Sequence, residues 1–160
     1  MKHILKFSLL FSTVLFVSCN DSLQVDTAKG QEAELVFPKG EKITNNNFIG
    51  SAWLNSLVTP DSVNQIAVGS VTFEPGARTN WHSHPNGQII LAIEGEGYYQ
   101  EKGQSKEILR KGDVKKCPPN VPHWHGASAA GKFIQIAITG REKGPTVWLE
   151  PVTDEEYSQD

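Results

Sequence analysis

The sequence predicts an all-β domain, built as a sandwich or a barrel. From residue 48 onward, short apolar runs alternate with turn-forming residues at a regular spacing, which is typical of these two architectures. The chain contains 14 Gly and 9 Pro, and many of them lie between these runs. Its 160 residues are enough for one domain with a substantial core.

Each predicted strand ends at a turn signal. Residues 74–76, 85–87 and 94–97 read Glu-Pro-Gly, Pro-Asn-Gly and Glu-Gly-Glu-Gly, which interrupt the apolar runs. Near the C-terminus, Thr153 followed by Glu156 predicts one capped helical turn. The predicted strands are, in chain order, 51–58, 65–73, 79–84, 88–93, 98–101, 107–109, 114–117, 123–127 and 132–139.

Residues 1–18 have the pattern of a bacterial lipoprotein signal peptide. Lys2 and Lys6 precede an apolar stretch at 9–17, which is too short for a comfortable membrane span. The tripeptide ending at Cys19 resembles a lipobox, in which the cysteine is lipidated and becomes N-terminal. We therefore expect an exported protein, lipid-anchored in the cell envelope at the periplasm or outer membrane. An ordinary signal peptide is the alternative.

The following segment is polar and predicts a tether. Residues 19–47 would hold a domain at 48–157 away from a membrane, with a short apolar patch at 35–37 as a candidate edge strand. Removing 1–18 takes away two lysines and no acids, which leaves 13 basic and 18 acidic side chains. This acidic balance argues against nucleic acid and anionic lipid as partners, so the membrane contact would be the lipid on Cys19.

The second cysteine, Cys117, has no partner once Cys19 is lipidated. A disulfide framework is therefore excluded. Because Cys117 ends a strand-like run before two prolines, we interpret it as a packed thiol rather than a soft metal ligand.

Four of the five histidines fall in two His-x-His pairs, His82/His84 and His123/His125. On a strand, residues i and i+2 face the same side, so each pair projects two imidazoles in one direction. Gln88 follows the first pair across a tight turn, which can bring its amide beside them. Since neutral imidazole is the commonest metal ligand, the pattern predicts a metal site. The alternative is a set of ordinary polar residues on a solvated strand face.

The histidines lie in two motifs whose spacing resembles that of the cupin superfamily. Gly76 to Gly95 fits the first motif, which reads Gly, five residues, His-x-His, three residues, an acid or amide, six residues, Gly. Gly112 to His123 fits the second, which reads Gly, five residues, Pro-x-Gly, two residues, His. The sequence departs from the usual residues at three positions. Gln88 stands where Glu is usual, Asn120 where Gly is usual, and Ala127 where the second motif ends in Asn.

This resemblance implies a double-stranded β-helix, or jelly-roll, barrel with a metal in its mouth. Three imidazoles and one amide oxygen would bind one divalent transition metal, such as manganese, iron, nickel, cobalt or zinc. The implied ligands are His82, His84, Gln88 and His123.

A closer resemblance is to the bacterial cupin group that includes manganese-dependent hydroxynitrile lyases. It rests on residues 71–88, 123–127 and 152–157. It implies manganese, a small-molecule substrate and a lyase reaction at a carbon–carbon bond of a cyanohydrin-like compound. The alternatives are a cupin dioxygenase, an isomerase, or a non-catalytic metal- or ligand-binding lipoprotein. We also expect a homo-oligomer, either a dimer or a tetramer.

Roles follow for the remaining polar residues. Gln88 cannot accept a proton at neutral pH, which leaves His125 as the candidate general base, with a polarising metal beside it; a rim residue without a proton role is the alternative. Arg78 and Asn80 share strand parity with the first histidine pair, so we expect them to point inward and bind substrate. A rim salt bridge is the alternative for Arg78. The resemblance also places Gln135 in the pocket, where the lyases have a further histidine.

Overall fold

The computed structural model describes residues 35–159, and nearly all of its regular structure is β-strand. The predicted signal peptide and Cys19 lie outside these residues. Within the described part of the chain, we find no helix with the length and apolar character that a membrane crossing needs. The elements are β1 (Glu41–Lys42), β2 (Phe48–Ile49), β3 (Ala52–Val58), β4 (Ile66–Phe73), β5 (Arg78–Thr79), β6 (His82–Ser83), β7 (Gln88–Glu101), β8 (Glu107–Arg110), β9 (Val114–Cys117), β10 (His123–Ala127), β11 (Phe133–Gly140), β12 (Val147–Trp148) and α1 (Asp154–Ser158).

The strands form two antiparallel sheets that share one long strand. Residues 88–95 of β7 pair with β11, while residues 96–101 of the same strand lie in the other sheet. The first sheet runs β1-β3-β4-β11-β7-β9, and the second runs β8-β7-β10-β5-β2, with β6 joining β10 to β12. This curled antiparallel arrangement is a double-stranded β-helix, which confirms the predicted fold class.

The long strand passes between the sheets at Gly95. This residue has a φ of 78°, in the left-handed region that favours glycine. A Cβ at Gly95 would lie 2.0 Å from the carbonyl oxygen of Lys132. Beside it, the pairing of β7 with β11 shifts register between Ile134 and Gln135, as at a β-bulge. The glycine that closes the first sequence motif is therefore required where the strand changes sheets.

Two apolar clusters hold the fold together. The main core lies between the sheets, and its large, fully buried members are Phe73, Ile90, Tyr99 and Phe133. A second cluster, called the tail cluster here, packs against the C-terminal segment and comprises Trp81, Trp124, Val152, Tyr98 and Tyr157.

The C-terminal helix confirms the predicted cap. The Thr153 hydroxyl accepts a hydrogen bond from the backbone N–H of Glu156, and the Glu156 carboxylate accepts one from the backbone N–H of Thr153. This reciprocal pair is a capping box, which satisfies N–H groups that the first helical turn leaves free.

The predicted start of the domain is too late. Strand β1 pairs with β3, and the backbone N–H of Ile43 donates to the carbonyl oxygen of Ala52 at 2.9 Å. Ile43 also packs against the main core. Part of the predicted tether at 19–47 therefore belongs to the barrel, because an apolar side chain and a free sheet edge both favour its docking. Residues 35–37 do not form the expected strand.

Candidate metal centre

A cavity of about 340 Å³ is lined by residues of both sheets. The first sheet contributes mostly apolar and small side chains, among them Leu54, Val68 and Val71. The second sheet contributes imidazoles and an indole, from His82, His125 and Trp148. The volume is that of a small-molecule site.

Four histidines gather beside this cavity, all but His123 in its wall, and are called the histidine cluster here. They are His82, His84, His123 and His125, all less than 5% exposed. The ring centroid of His82 lies 5.0 Å from that of His84, 4.5 Å from that of His123 and 5.2 Å from that of His125. The two predicted pairs therefore come together because β6 and β10 are neighbours, with His82 directly opposite His123.

Hydrogen bonds orient three of the four rings. His82 Nδ1 donates to the carbonyl oxygen of Asn80 at 2.9 Å, and His123 Nδ1 donates to that of Val121 at the same distance. His84 Nδ1 lies 3.2 Å from the Thr146 hydroxyl. A carbonyl can only accept, so Nδ1 carries the proton in His82 and His123, and Nε2 keeps its lone pair. This is how metal-binding histidines are held.

On the free sides of two of these rings, the described part of the chain offers no hydrogen-bond partner. Within residues 35–159, the Nε2 atoms of His84 and His123 are buried without a hydrogen-bond partner. Gln88 Nε2 donates to Thr139 Oγ1 at 3.1 Å, and its Oε1 is likewise buried and unpartnered in the described chain. Buried polar atoms are normally satisfied, so these atoms are expected to meet a ligand. The donor set of imidazole nitrogen and amide oxygen fits a divalent transition metal.

His125 is the most isolated of the four. Both of its ring nitrogens are buried without a partner among the described residues, and its ring packs edge-on against Phe73 at 5.8 Å between centroids. Candidate ligand atoms of His82, His123 and His125 all lie within 4.8 Å of one another. The tightest group thus includes His125, which the sequence assigned to proton transfer, and leaves out His84. Two ligand sets that share His82 and His123 are therefore open to a metal ion.

All four imidazoles are neutral at physiological pH. Burial, with the nearby His123, holds the pKa of His82 well below its ordinary value, and burial, with His82, does the same to the pKa of His125. Burial lowers the pKa of His84 to about 3 and also lowers the pKa of His123. Only neutral imidazole binds a metal, so burial prepares the cluster for one.

Arg78 does not point into the cavity, contrary to the sequence prediction. Its Nη2 and Nε donate to the carbonyl oxygen of Val152 at 2.9 and 3.2 Å, and Nη2 contacts Asp154 Oδ1 at 2.6 Å. The neighbouring Thr79 lines the cavity instead. The prediction was wrong because it assumed one continuous strand at 79–84, whereas two residues without strand structure separate β5 from β6 and change the alternation.

Asn80 also lies away from the predicted position. Its Nδ2 donates to the carbonyl oxygen of Asn46 at 3.0 Å, and Asn80 is absent from the cavity wall described above. Its backbone carbonyl orients His82, so it acts on the site through the main chain. Gln135 is fully buried opposite Val71 on β4, and both of its amide atoms are unpartnered within the described chain. Its role in substrate binding stays a prediction.

Three residues that contact the site were not predicted from the sequence. Thr146 orients His84, Arg141 Nη1 donates to Thr146 Oγ1 at 2.9 Å, and the Trp148 ring lies 4.8 Å from that of His82. All three follow β11 in a segment that contains a turn and the two-residue strand β12. The apolar pair in β12 was the available signal, since a short run after Gly-Pro is compatible with an edge strand.

Known proteins share this fold, and they are similar to this chain over the region that contains the two histidine motifs. A family model described as a cupin domain matches residues 69–136. A crystal structure of a cupin-like protein from Thermotoga maritima is 47% identical, with a TM-score of 0.75, and the match covers 77% of this chain and 94% of that one.

Two curated relatives are named as enzymes. An (R)-mandelonitrile lyase from Granulicella tundricola is 41% identical over 111 residues, which covers 69% of this chain and 85% of the relative. An acireductone dioxygenase from Alcanivorax borkumensis is 27% identical over 81 residues, which covers 49% of this chain and 43% of the relative. Enzymatic relatives indicate a small-molecule substrate. With its double-stranded β-helix, its two histidine motifs and these relatives, the chain belongs to the cupin superfamily.

Proposed function

We propose that this protein is a metal-dependent lyase that breaks or forms a carbon–carbon bond in a small hydroxylated substrate, with a cyanohydrin as the first compound to test. The observation that carries the proposal is the cluster of buried imidazoles, in which His82 and His123 are oriented through Nδ1, and His84 and His123 keep an Nε2 atom without a partner among the described residues. The 41% identity to a protein named as a mandelonitrile lyase supports the choice of lyase chemistry.

The ligands in this proposal are His82, His84, Gln88 and His123. In each of the three histidines Nδ1 is engaged by a neighbouring oxygen, which leaves Nε2 for a metal. A bound divalent metal, manganese by resemblance, would act as a Lewis acid on a substrate oxygen. Gln88 adds an oxygen ligand without adding negative charge.

His125 is the proposed base. It is neutral, it lines the cavity, and neither ring nitrogen has a partner in the described chain, so one nitrogen is free to accept a proton. In cleavage, His125 takes the substrate hydroxyl proton, the hydroxyl-bearing carbon becomes a carbonyl, and the bond to the nitrile carbon breaks. The electron pair leaves as cyanide, which is then protonated to hydrogen cyanide. The apolar wall of the first sheet holds the organic substituent.

Metal analysis and mandelonitrile cleavage test this proposal together. The purified protein should carry about one transition metal per chain, and His123→Ala should lose it. His125→Ala should keep the metal and lose roughly 100- to 10,000-fold in activity, as expected for a general base. Lys111→Ala, an exposed turn residue, is the control for both measurements.

Each alternative gives a different result. Loss of metal from His125→Ala with retention by His84→Ala would make His82, His123 and His125 the ligands. Full activity in His125→Ala would remove its proton role. A protein that binds no metal and cleaves no cyanohydrin would contradict the proposed function.

Export and lipidation at Cys19, and assembly as a dimer or tetramer, are further parts of the proposal. Mass spectrometry of the mature N-terminus in the native host tests the first, and an intact Met1 would refute it. Light scattering of the purified protein tests the second.

A further inference from the structure

One wall residue of the cavity carries a formal charge. Arg141 follows the last residue of β11 and lines the cavity together with His82, His84 and His125. The cavity wall formed by the described residues contains neither Asp nor Glu nor Lys. Because the imidazoles and Gln88 are neutral, the Arg141 guanidinium supplies the fixed charge of the site.

Arg141 also differs from the other two arginines of the chain. Arg78 pairs with Asp154 and Arg110 pairs with Glu96, at 2.6 and 3.1 Å. In the part of the chain that the structure describes, no carboxylate lies within 4.0 Å of Arg141. One of its five N–H groups donates to Thr146, which leaves the others available. Its partial burial lowers its pKa from the ordinary value, as expected for a cation without a counter-ion.

The charge balance of the site favours an anion. A divalent metal on the histidine cluster would add two positive charges to that of Arg141. The ligand position where cupins usually have Glu holds Gln88, so the protein supplies no compensating carboxylate from this wall. Positive charges in a partly desolvated site stabilise an anionic ligand. Guanidinium also matches a carboxylate in geometry, because two parallel N–H groups can bind its two oxygens.

We propose that Arg141 anchors the carboxylate of a small 2-hydroxy or 2-oxo acid, whose 2-oxygen faces the histidine cluster and whose apolar substituent packs on Leu54, Val68 and Val71. This inference rests on the proposed function for the use of the site and specifies that the hydroxylated substrate is anionic rather than neutral. Mandelonitrile is then a neutral surrogate that lacks the group recognised by Arg141.

Calorimetric titration with mandelate and with its neutral amide, mandelamide, tests the inference. The wild-type protein, loaded with manganese, should bind mandelate at least about tenfold more tightly than mandelamide. Arg141→Gln should weaken mandelate binding roughly 10- to 100-fold, the effect of losing hydrogen bonds to a charged group, and leave mandelamide binding unchanged. Arg110→Gln removes an exposed arginine away from the cavity and should change neither affinity.

The same titrations on metal-free protein separate this inference from the proposed function. Arg141 donates to Thr146, and Thr146 contacts His84, so metal content is measured for Arg141→Gln, and the metal-free comparison is decisive if metal is lost. A preference for mandelate that depends on Arg141 in metal-free protein supports the anchor even if no lyase activity exists. Equal binding of mandelate and mandelamide by the wild type, binding of neither, or unchanged mandelate binding by Arg141→Gln would overturn it.

Discussion

Two buried regions lie on opposite faces of β10 and treat their polar groups in opposite ways. In the tail cluster, Trp124 Nε1 donates to Gln100 Oε1 at 2.8 Å, and the Tyr157 hydroxyl donates to the carbonyl oxygen of Ala127 at 2.9 Å. On either side of Trp124 along the strand, His123 and His125 leave three ring nitrogens buried without a partner in the described residues.

The difference separates stability from function within one strand. A satisfied polar group in a core contributes to stability, whereas a buried unpaired one costs about 1–3 kcal/mol. The unpaired nitrogens of the histidine cluster therefore lower the stability of the folded protein, whereas the paired groups of the tail cluster do not. Because the side chains of a strand alternate, His123-Trp124-His125 places a structural residue between two site residues. Substitutions on the two faces should therefore have different effects.

The largest expected effect on stability is at Trp124. Trp124→Ala should lower the free energy of unfolding by about 3–5 kcal/mol, because it removes a fully buried indole and leaves Gln100 Oε1 unpaired. Chemical denaturation measures the change. Trp148→Ala is the matched control on the cavity side, where the indole is 37% exposed, and it should cost less. Equal losses would contradict the assignment of stability to the tail cluster.

The next effect is the response of stability to metal. Manganese at about 100 times its dissociation constant should raise the free energy of unfolding of the wild type by about 2.7 kcal/mol, because it binds the folded state alone. His123→Ala should lose this response. Thermal unfolding with and without a chelator measures it, and a wild-type metal shift that persists in His123→Ala would remove this residue from the ligand set.

A smaller effect separates the two partners of one ion pair. Arg78→Ala should cost about 2 kcal/mol, because it leaves the Val152 carbonyl oxygen without its donors. Asp154→Ala should cost less than about 1 kcal/mol, since the Asp154 side chain is 91% exposed and solvent weakens its pairing with Arg78. Denaturant unfolding of both variants checks the difference, and equal costs would show that the ion pair is the main contribution.

The smallest effect is expected at Cys117, a buried polar group that belongs to neither the histidine cluster nor the tail cluster. Burial raises the pKa of its thiol to about 12. At pH 8 the reactive thiolate is therefore only about one part in ten thousand of the folded protein, and it increases as pH rises towards 12. In a Cys19→Ser background, iodoacetamide should leave the folded protein unmodified over an hour and modify it in guanidinium chloride. Rapid labelling of the folded protein would contradict this burial.

The sequence was sufficient for the parts of the site that depend on local periodicity. The two His-x-His pairs, the turn before Gln88 and the glycine at residue 95 follow short-range rules. The structure places Gln88 and three of these histidines in one cavity wall, with His123 beside them. Arg78 shows where those rules fail, because a break of two residues after β5 changes which side chains face inward. Parity is reliable only within an unbroken strand.

Other parts of the site depend on contacts between distant segments. Thr146 contacts His84, which lies 62 positions away in the sequence. Arg141 is positioned by its hydrogen bond to Thr146 and lies in the cavity wall. Sequence periodicity has no information about such contacts, particularly when the segment that makes them contains a two-residue strand. The early start of the barrel at β1 was missed for the same reason, since its pairing with β3 is a tertiary contact.

The indole of Trp148 gives the site an optical reporter. Its ring lies 4.8 Å from that of His82, and its plane makes an angle of 52° with that of Phe48. An ion bound to the His82 imidazole would therefore lie close enough to affect the excited state of this indole. Trp81 and Trp124 emit from the tail cluster, and Trp53 lies beneath the Lys39 ammonium at 3.5 Å. A paramagnetic ion arriving at the cavity should therefore quench one component of the emission, and Trp148→Phe would identify that component by removing it.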